Sequence, residues 1–286
     1  MTSIFDFESK PDDYAVMGNP ITHSKSPLIH TAFAQQTQQR MQYAAIQVDP
    51  GGFAQAVGNF FASGGKGLNI TVPFKGEAYH LANELSPRAT LAGAVNTLKV
   101  DDANRLYGDN TDGVGLVRDL IHNLNIVIPG KRILLIGAGG AARGVLGPLL
   151  EQQPATLTLA NRTLDKAQHL VTTFSAQAHT VKLNAAPFSG LRDISFDLVI
   201  NATSASLKGE LPPIPTTVFA KTAWSYDMMY GADATAFMRW SQNAGVNNVV
   251  DGLGMLVEQA AEAFKIWRGV MPEDTKSVIQ HIREGL

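Results

Sequence analysis

Cysteine is absent from all 286 residues, which excludes disulfides, thiolate nucleophiles and cysteine–zinc sites. A dominant charge is also missing. The 23 Lys+Arg and 25 Asp+Glu leave a net charge of −2, without the basic excess that marks a nucleic-acid binder. No run approaches the roughly 18 consecutive apolar residues that span a bilayer. The first residues, Met1 to Asp13, lack the basic and apolar stretches of a secretory leader. The seven histidines form no H-E-x-x-H pattern, and there is no G-x-S-x-G nucleophile elbow, so zinc-hydrolase and serine-hydrolase chemistry have no support. The expectation is a cytoplasmic protein with no metal, nucleic-acid or membrane partner.

What is present is a globular composition, 45% hydrophobic with 26 glycines. Short β-like runs alternate with helical patterns, the signature of an α/β fold. The runs are Tyr14–Gly18, Gln42–Val48, Leu68–Val72, Val95–Val100, Arg105–Tyr107, Lys131–Ile136, Thr156–Ala160, Asp197–Asn201 and Ala223–Asp227. Helices are expected after Ser26-Pro27, where serine suits the N-cap and proline the first turn, and from Gly52 to Ala62. One is expected from Pro73 to about Leu85 and another from Gly113 to Leu124. Met255–Trp267 carries an apolar stripe with charges opposite, and Pro272 opens a last helix.

Gly137-Ala138-Gly139-Gly140-Ala141-Ala142 fits G-x-G-x-x-(G/A) between a strand and a helix. The first glycine makes the turn, the second admits a pyrophosphate against backbone, and the small third residue lets helix and strand pack. The helix N-terminus then offers free N–H groups to phosphate. Pro148 lies inside the expected helix and should kink it. An NAD site places an acid at the end of the second strand. Here Ala160-Asn161-Arg162-Thr163 has none, and Arg162 with Lys166 suits the 2′-phosphate of NADP. A blander role for this segment is a helix start with Thr163 as the cap. The 130 or so residues before the glycine turn call for a separate substrate domain and an interdomain cleft.

Several segments together resemble the shikimate dehydrogenase family. They are Gly18-Asn19-Pro20-Ile21-Thr22-His23-Ser24-Lys25-Ser26-Pro27, Asn69-Ile70-Thr71-Val72-Pro73-Phe74-Lys75 and Gly93-Ala94-Val95-Asn96-Thr97. Gly108-Asp109-Asn110-Thr111-Asp112-Gly113, the glycine turn, Asn161-Arg162-Thr163 and Val250-Asp251-Gly252-Leu253-Gly254-Met255 follow in order. The resemblance implies an N-terminal α/β substrate-binding domain, a Rossmann-like NADP-binding domain, and C-terminal helices that return to the first. The implied division is 1–111 with 252–286 for substrate and 112–251 for NADP. The implied reaction is reversible NADPH-dependent reduction of 3-dehydroshikimate to shikimate, in the supply of chorismate and aromatic amino acids, by a monomer or homodimer without a metal.

Carried over by motif, Lys75 and Asp112 are the catalytic pair. Ser24 and Ser26 hold the substrate carboxylate with Tyr230, while Thr71, Asn96, Asp112 and Gln259 bind ring hydroxyls. Gly137, Ala138, Gly139, Gly140, Ala141, Asn161, Arg162, Thr163, Lys166, Met228 and Gly252 contact the cofactor. Lys166 stands where the family often has arginine, which replaces a forked contact by a point charge. Plainer roles exist for several of these: Asp112 as a helix cap, Gln259 as a buried amide with a backbone partner, Tyr230 as core. Asp109 serves as the control carboxylate for Asp112. Two alternatives remain at this level, a quinate/shikimate dehydrogenase with relaxed cofactor choice and a non-catalytic NADPH-binding regulator.

Overall fold

In the computed structural model, residues 10–101, 103–205 and 209–286 are described. The first sheet takes its strands from β1 (Asp12–Gly18), β2 (Met41–Gln47), β3 (Gly67–Ile70), β4 (Glu84–Leu85), β5 (Thr97–Val100) and β6 (Leu106–Asp109). Their order is β2-β1-β3-β5-β6-β4. β1 runs parallel to β2 and β3, whereas β5 is antiparallel to β3 and β6. The core on this sheet is built by Ala15 and Met17 of β1, Leu68 and Ile70 of β3, and Phe53 and Phe74.

The helices of this half are α1 (Ser26–Gln36), α2 (Phe53–Ala62), α3 (Lys75–Leu81) and α4 (Pro87–Ala92). Two expectations change here. Lys25, not Ser26, holds the N-cap position of α1, and no side chain caps it. The Ser26 N–H is instead taken up by the Ser24 hydroxyl at 3.3 Å. The single helix expected from Pro73 to Leu85 also breaks up. Ala82 is extended, and Asn83 pairs with Leu106 through both its backbone N–H and its side-chain oxygen, each at 2.8 Å. That tertiary pairing stops α3 and sets up β4. Ser86 then starts α4 by accepting the Ala89 N–H, with Pro87 in the first turn.

The second sheet follows α5 (Asp112–Arg118), which passes into a π-helical turn over Asp119–Asn123. Its elements are β7 (Arg132–Ile136), α6 (Gly140–Glu151), β8 (Thr156–Ala160), α7 (Leu164–Thr173), α8 (Ser175–Ala178), β9 (Lys182–Ala186), β10 (Phe196–Asn201), β11 (Phe219–Asp227), α9 (Ala236–Asn243) and β12 (Asn248–Asp251). All six strands are parallel, in the order β12-β11-β10-β7-β8-β9. The chain therefore winds outward from β7 in both directions. The order reverses between β7 and β10, where open α/β sheets bind ligands beyond the strand ends. Near-continuous apolar runs such as Ile133–Ile136 suit strands covered on both faces.

α10 (Leu253–Arg268) and α11 (Thr275–Glu284) return to the first half. Leu253, Val257, Ala261 and Phe264 of α10 pack with Ile29 and Phe33 of α1. The Trp267 indole donates to the Leu98 carbonyl of β5 at 3.0 Å. α5 and α10 cross closely because glycine lies on both. A Cβ on Gly115 would stand 2.6 Å from the backbone nitrogen of Gln259, and one on Gly254 would meet the Asp119 carboxylate. Pro148 does not end α6, which continues to Glu151. The residue directly before it is Gly147, which has no Cβ for the proline ring to clash with. The proline ring packs against the α5 glycine, with a Cβ on Gly113 placed 2.6 Å from the ring. The residue that breaks isolated helices here seats α5 on α6.

Candidate active site

Lys75 opens α3 directly after Phe74, which is fully buried and stacks on Phe53 with ring centroids 4.9 Å apart. That anchor leaves the lysine stem free to point out of the core. The Lys75 ammonium donates to Asp112 Oδ2 at 2.6 Å. Asp112 is the first residue of α5, and its other oxygen accepts from Asn96 Nδ2 at 2.8 Å. Asp112 does not cap its helix: Thr111 holds the N-cap position. The Asp112 backbone N–H is satisfied by Asn110 Oδ1 at 3.2 Å. The carboxylate is thus free to serve the lysine.

Asn96 fixes this arrangement. Its oxygen accepts the Thr111 N–H at 2.9 Å and the Thr97 hydroxyl at 2.9 Å. The amide nitrogen must then face Asp112, where it also reaches Thr111 Oγ1 at 3.0 Å and Gln259 Oε1 at 3.3 Å. Gln259 donates to the Leu256 carbonyl at 2.8 Å. So the backbone partner expected of a buried amide and a link to the Asp112 network are both present in this one side chain.

A cavity of about 1710 Å³ opens between the two sheets, with Lys75 and Asp112 on its wall. Ser24, Thr71 and Tyr230 share that wall. Burial, and then the nearby Asp251 carboxylate, raise the Tyr230 phenol above its ordinary pKa, so it faces the cavity as a neutral hydroxyl. Ser26, Asn96 and Gln259 are not wall residues; Ser26 and Asn96 are buried and Gln259 is half-buried. Asp109 is buried outside it. It takes Arg88 in a forked pair at 2.7 Å and 2.7 Å, the Ser86 hydroxyl at 2.5 Å and the Asn110 N–H at 2.7 Å. That is a structural knot, as befits a control.

The opposite wall is the glycine turn. Gly137 to Ala141 line the cavity in order. Gly137 has φ +111, a conformation that side chains resist. Cβ atoms on Gly139 or Gly140 would meet open space, and no side chain caps α6. The free N–H groups of a twelve-residue helix, at the strand-order reversal, fit a dinucleotide pyrophosphate. Asn161, Lys166 and Met228 lie on the same wall. Arg162 and Thr163 stand exposed beside it. Thr163 holds the N-cap position of α7 without a side-chain cap bond, and Asn161 Nδ2 donates to its carbonyl at 2.8 Å. Gly252 lies behind Met228, where a Cβ would stand 2.2 Å from the Met228 carbonyl.

Sequence reasoning missed Arg143, Asn110, His169, Thr203 and Ser204, all on the cavity wall. Thr203 and Ser204 follow the end of β10, so strand order, had it been known, would have pointed to them. Among the described residues, no group of three or more His, Cys, Asp or Glu side chains is placed to hold a metal ion.

Three family models match the chain in succession. They are the shikimate dehydrogenase substrate binding domain over residues 16–98, shikimate/quinate 5-dehydrogenase over 120–208, and the shikimate 5′-dehydrogenase C-terminal domain over 252–283. The shikimate dehydrogenase (NADP(+)) of Herminiimonas arsenicoxydans is 57% identical over 96% of this chain and 98% of its own. That of Chromobacterium violaceum is 54% identical over 96% and 99%. The structure of shikimate 5-dehydrogenase from Thermus thermophilus, in complex with NADP(H) and shikimate, superposes with a TM-score of 0.84 at 30% identity, covering 96% of this chain and all of that one. With two facing domains, a Rossmann-order parallel sheet and relatives identical at more than half their positions along nearly the whole chain, this protein belongs to the shikimate dehydrogenase family.

Proposed function

We propose that the protein catalyses the reversible, NADPH-dependent reduction of 3-dehydroshikimate to shikimate, with Lys75 as the proton donor and acceptor and Asp112 as its partner. The observation that carries this reading is the 2.6 Å Lys75–Asp112 contact on the wall of a cavity whose far side is the glycine turn. The nicotinamide, when bound, exchanges a hydride with the ring carbon. The protein must manage one proton and hold two molecules in register. Lys75 gives its proton to the carbonyl oxygen as negative charge develops there, and takes it back in the reverse direction. Asp112 fixes the ammonium and accepts a hydrogen bond from a ring hydroxyl; Asn96 keeps that carboxylate oriented. Ser24, Thr71 and Tyr230 supply hydroxyls to the substrate carboxylate and ring, and Ser26 holds the Ser24 hydroxyl from behind through its backbone N–H.

On the cofactor side, the backbone of Gly137–Ala141 would take the pyrophosphate, and Arg162 with Lys166 the 2′-phosphate. Met228 would wall the nicotinamide, with Gly252 packed behind it. The working division of the chain is 1–111 with 252–286 for substrate and 112–251 for NADP. No helix among the described residues is long and apolar enough to cross a membrane.

The test is purified protein with shikimate or quinate and NADP⁺ or NAD⁺, followed by the absorbance of reduced nicotinamide. Fast NADP⁺ reduction on shikimate alone is the expected outcome. Comparable rates with quinate or NAD⁺ would show a broader dehydrogenase. NADPH binding without turnover on any pair would refute the catalytic assignment and leave a cofactor-binding regulator.

A further inference from the structure

Arg143 sits in the first turn of α6, four residues past the second glycine of the turn, and lines the cavity. Its side chain does not stay in its own half. The Arg143 Nε–H donates to the Leu91 carbonyl at 2.8 Å, across to α4 of the first half. The Leu91 side chain, in turn, packs against the core of the second half. The guanidinium also covers Gly93, the left-handed C-cap of α4 with φ +59. A Cβ there would stand 2.9 Å from Arg143 Cζ. The positive φ favours glycine at this position, and the bare Cα lets the guanidinium lie directly over it.

The segment that Arg143 grips is bonded directly to Lys75 and, through the Asn110 side chain, to Asp112. The Val95 N–H donates to the Lys75 carbonyl at 2.9 Å. The Ala94 carbonyl accepts from Asn110 Nδ2 at 3.0 Å, and Asn110 Oδ1 in turn accepts the Asp112 N–H at 3.2 Å. Residues 91–95 therefore stand between the cofactor helix and the proton-handling groups.

We infer that Arg143 is a positioning residue: it latches the helix that begins at the glycine turn onto the 91–95 turn, and so sets the distance between nicotinamide and the Lys75–Asp112 pair. This rests on the function proposed above, and it assigns Arg143 no contact with substrate. Hydride transfer is sensitive to such register, and misplacement by about 1 Å costs about 100-fold.

Two variants separate the latch from a plain charge effect. In Arg143→Gln the amide nitrogen falls where Nε lies, so the donor to Leu91 is kept and the positive charge is lost. In Arg143→Ala both go. The measurements are kcat, the KM for shikimate, NADPH affinity by nucleotide fluorescence, and amide hydrogen exchange across residues 91–95. Arg143→Ala should lower kcat about 10- to 100-fold with a near-normal KM and NADPH affinity. It should also speed exchange at Val95, while Arg143→Gln should stay close to the parent in every reading. Unchanged kcat and exchange in Arg143→Ala would overturn the inference. So would equal losses in both variants with weakened NADPH binding, which would make Arg143 a phosphate ligand instead. The exchange comparison needs no turnover. It decides the latch even where the parent fails to oxidise shikimate, an outcome that would refute only the proposed reaction.

Discussion

Two aspartates three residues apart in Asp109-Asn110-Thr111-Asp112 should fail in different ways when each is changed to asparagine. Asp109 is 3% exposed and carries a forked Arg88 pair, with Arg88 also reaching Glu262 of α10 at 3.1 Å. Asp109→Asn turns one carboxylate oxygen into a donor facing the donors of Arg88 and leaves that half-buried guanidinium short of charge. Removing one partner of a buried pair costs about 3–5 kcal/mol, and asparagine, which keeps one acceptor, should sit near the lower end at about 3 kcal/mol. For a chain of this size that lowers Tm by about 6–12 °C. Asp112→Asn keeps a side chain of the same shape on α5. Its new amide must oppose either Lys75 or the Asn96 amide, both donors. Turnover should fall about 10²- to 10⁴-fold. The Lys75 pair is part-exposed, so Tm should move by only about 2–4 °C, the shift of about 1 kcal/mol. Scanning calorimetry and steady-state kinetics on the two proteins give both numbers. A larger turnover loss in Asp109→Asn, measured on folded protein, would show that the catalytic carboxylate has been misassigned. An unchanged Tm there would refute the burial argument.

Other outcomes follow from the same contacts. His30 is fully buried in an aromatic cluster, stacked 4.2 Å from Tyr43, and burial pushes its pKa down to about 3 against the opposing Asn69 bond. The unfolded chain binds that proton near pH 6.5, so this stability is present above about 6.5 and is lost toward pH 3, at up to about 1.4 kcal/mol per pH unit. Urea unfolding between pH 7 and 4.5 should show a shallower acid slope for His30→Phe than for the parent; equal slopes would count against it. Arg162→Ala and Lys166→Ala should each raise the KM for NADP⁺ about 10- to 150-fold while leaving that for NAD⁺ nearly unchanged, since one charge-assisted contact is worth about 1.5–3 kcal/mol. Equal effects on the two nucleotides would rule out a 2′-phosphate role. Gly115→Ala should destabilise by about 1–3 kcal/mol in chemical denaturation, because the added methyl meets the backbone of Gln259. A neutral result would mean that the α5–α10 crossing yields easily.

The elements most legible in the sequence are those whose signal is local. Ile133–Ile136 followed by the glycine turn reads as strand, turn and helix because apolar run length and glycine spacing alone specify that unit. The stripe on α10 is equally plain. β9 and β12 were not legible. β9 is Lys182–Ala186, half-buried at a sheet edge with little apolar pattern, and β12 is only four residues long. α9 carries a Thr235 cap that accepts the Met238 N–H, a local signal that was there to be used. The break between α3 and α4 was out of reach, since the bonds from Asn83 to Leu106 that cause it span 23 residues.

By itself the sequence determined the class of the fold, the place of the glycine-rich turn, the lack of an acid after β8 and, through the ordered motifs, the family. Each of these is carried by residue type and short spacing. Only the tertiary structure decided which polar side chains face the cavity and which support from behind. Asn96 and Asp109 look as eligible as Asp112 when written in a row. Asn96 is set behind Asp112 because its oxygen is taken by the Thr111 N–H, and Asp109 is withdrawn by Arg88. Arg143 reads as one more helix cation until the fold carries it across to Leu91. Burial and partnership depend on what other segments bring to a residue, and spacing along one chain does not contain that information.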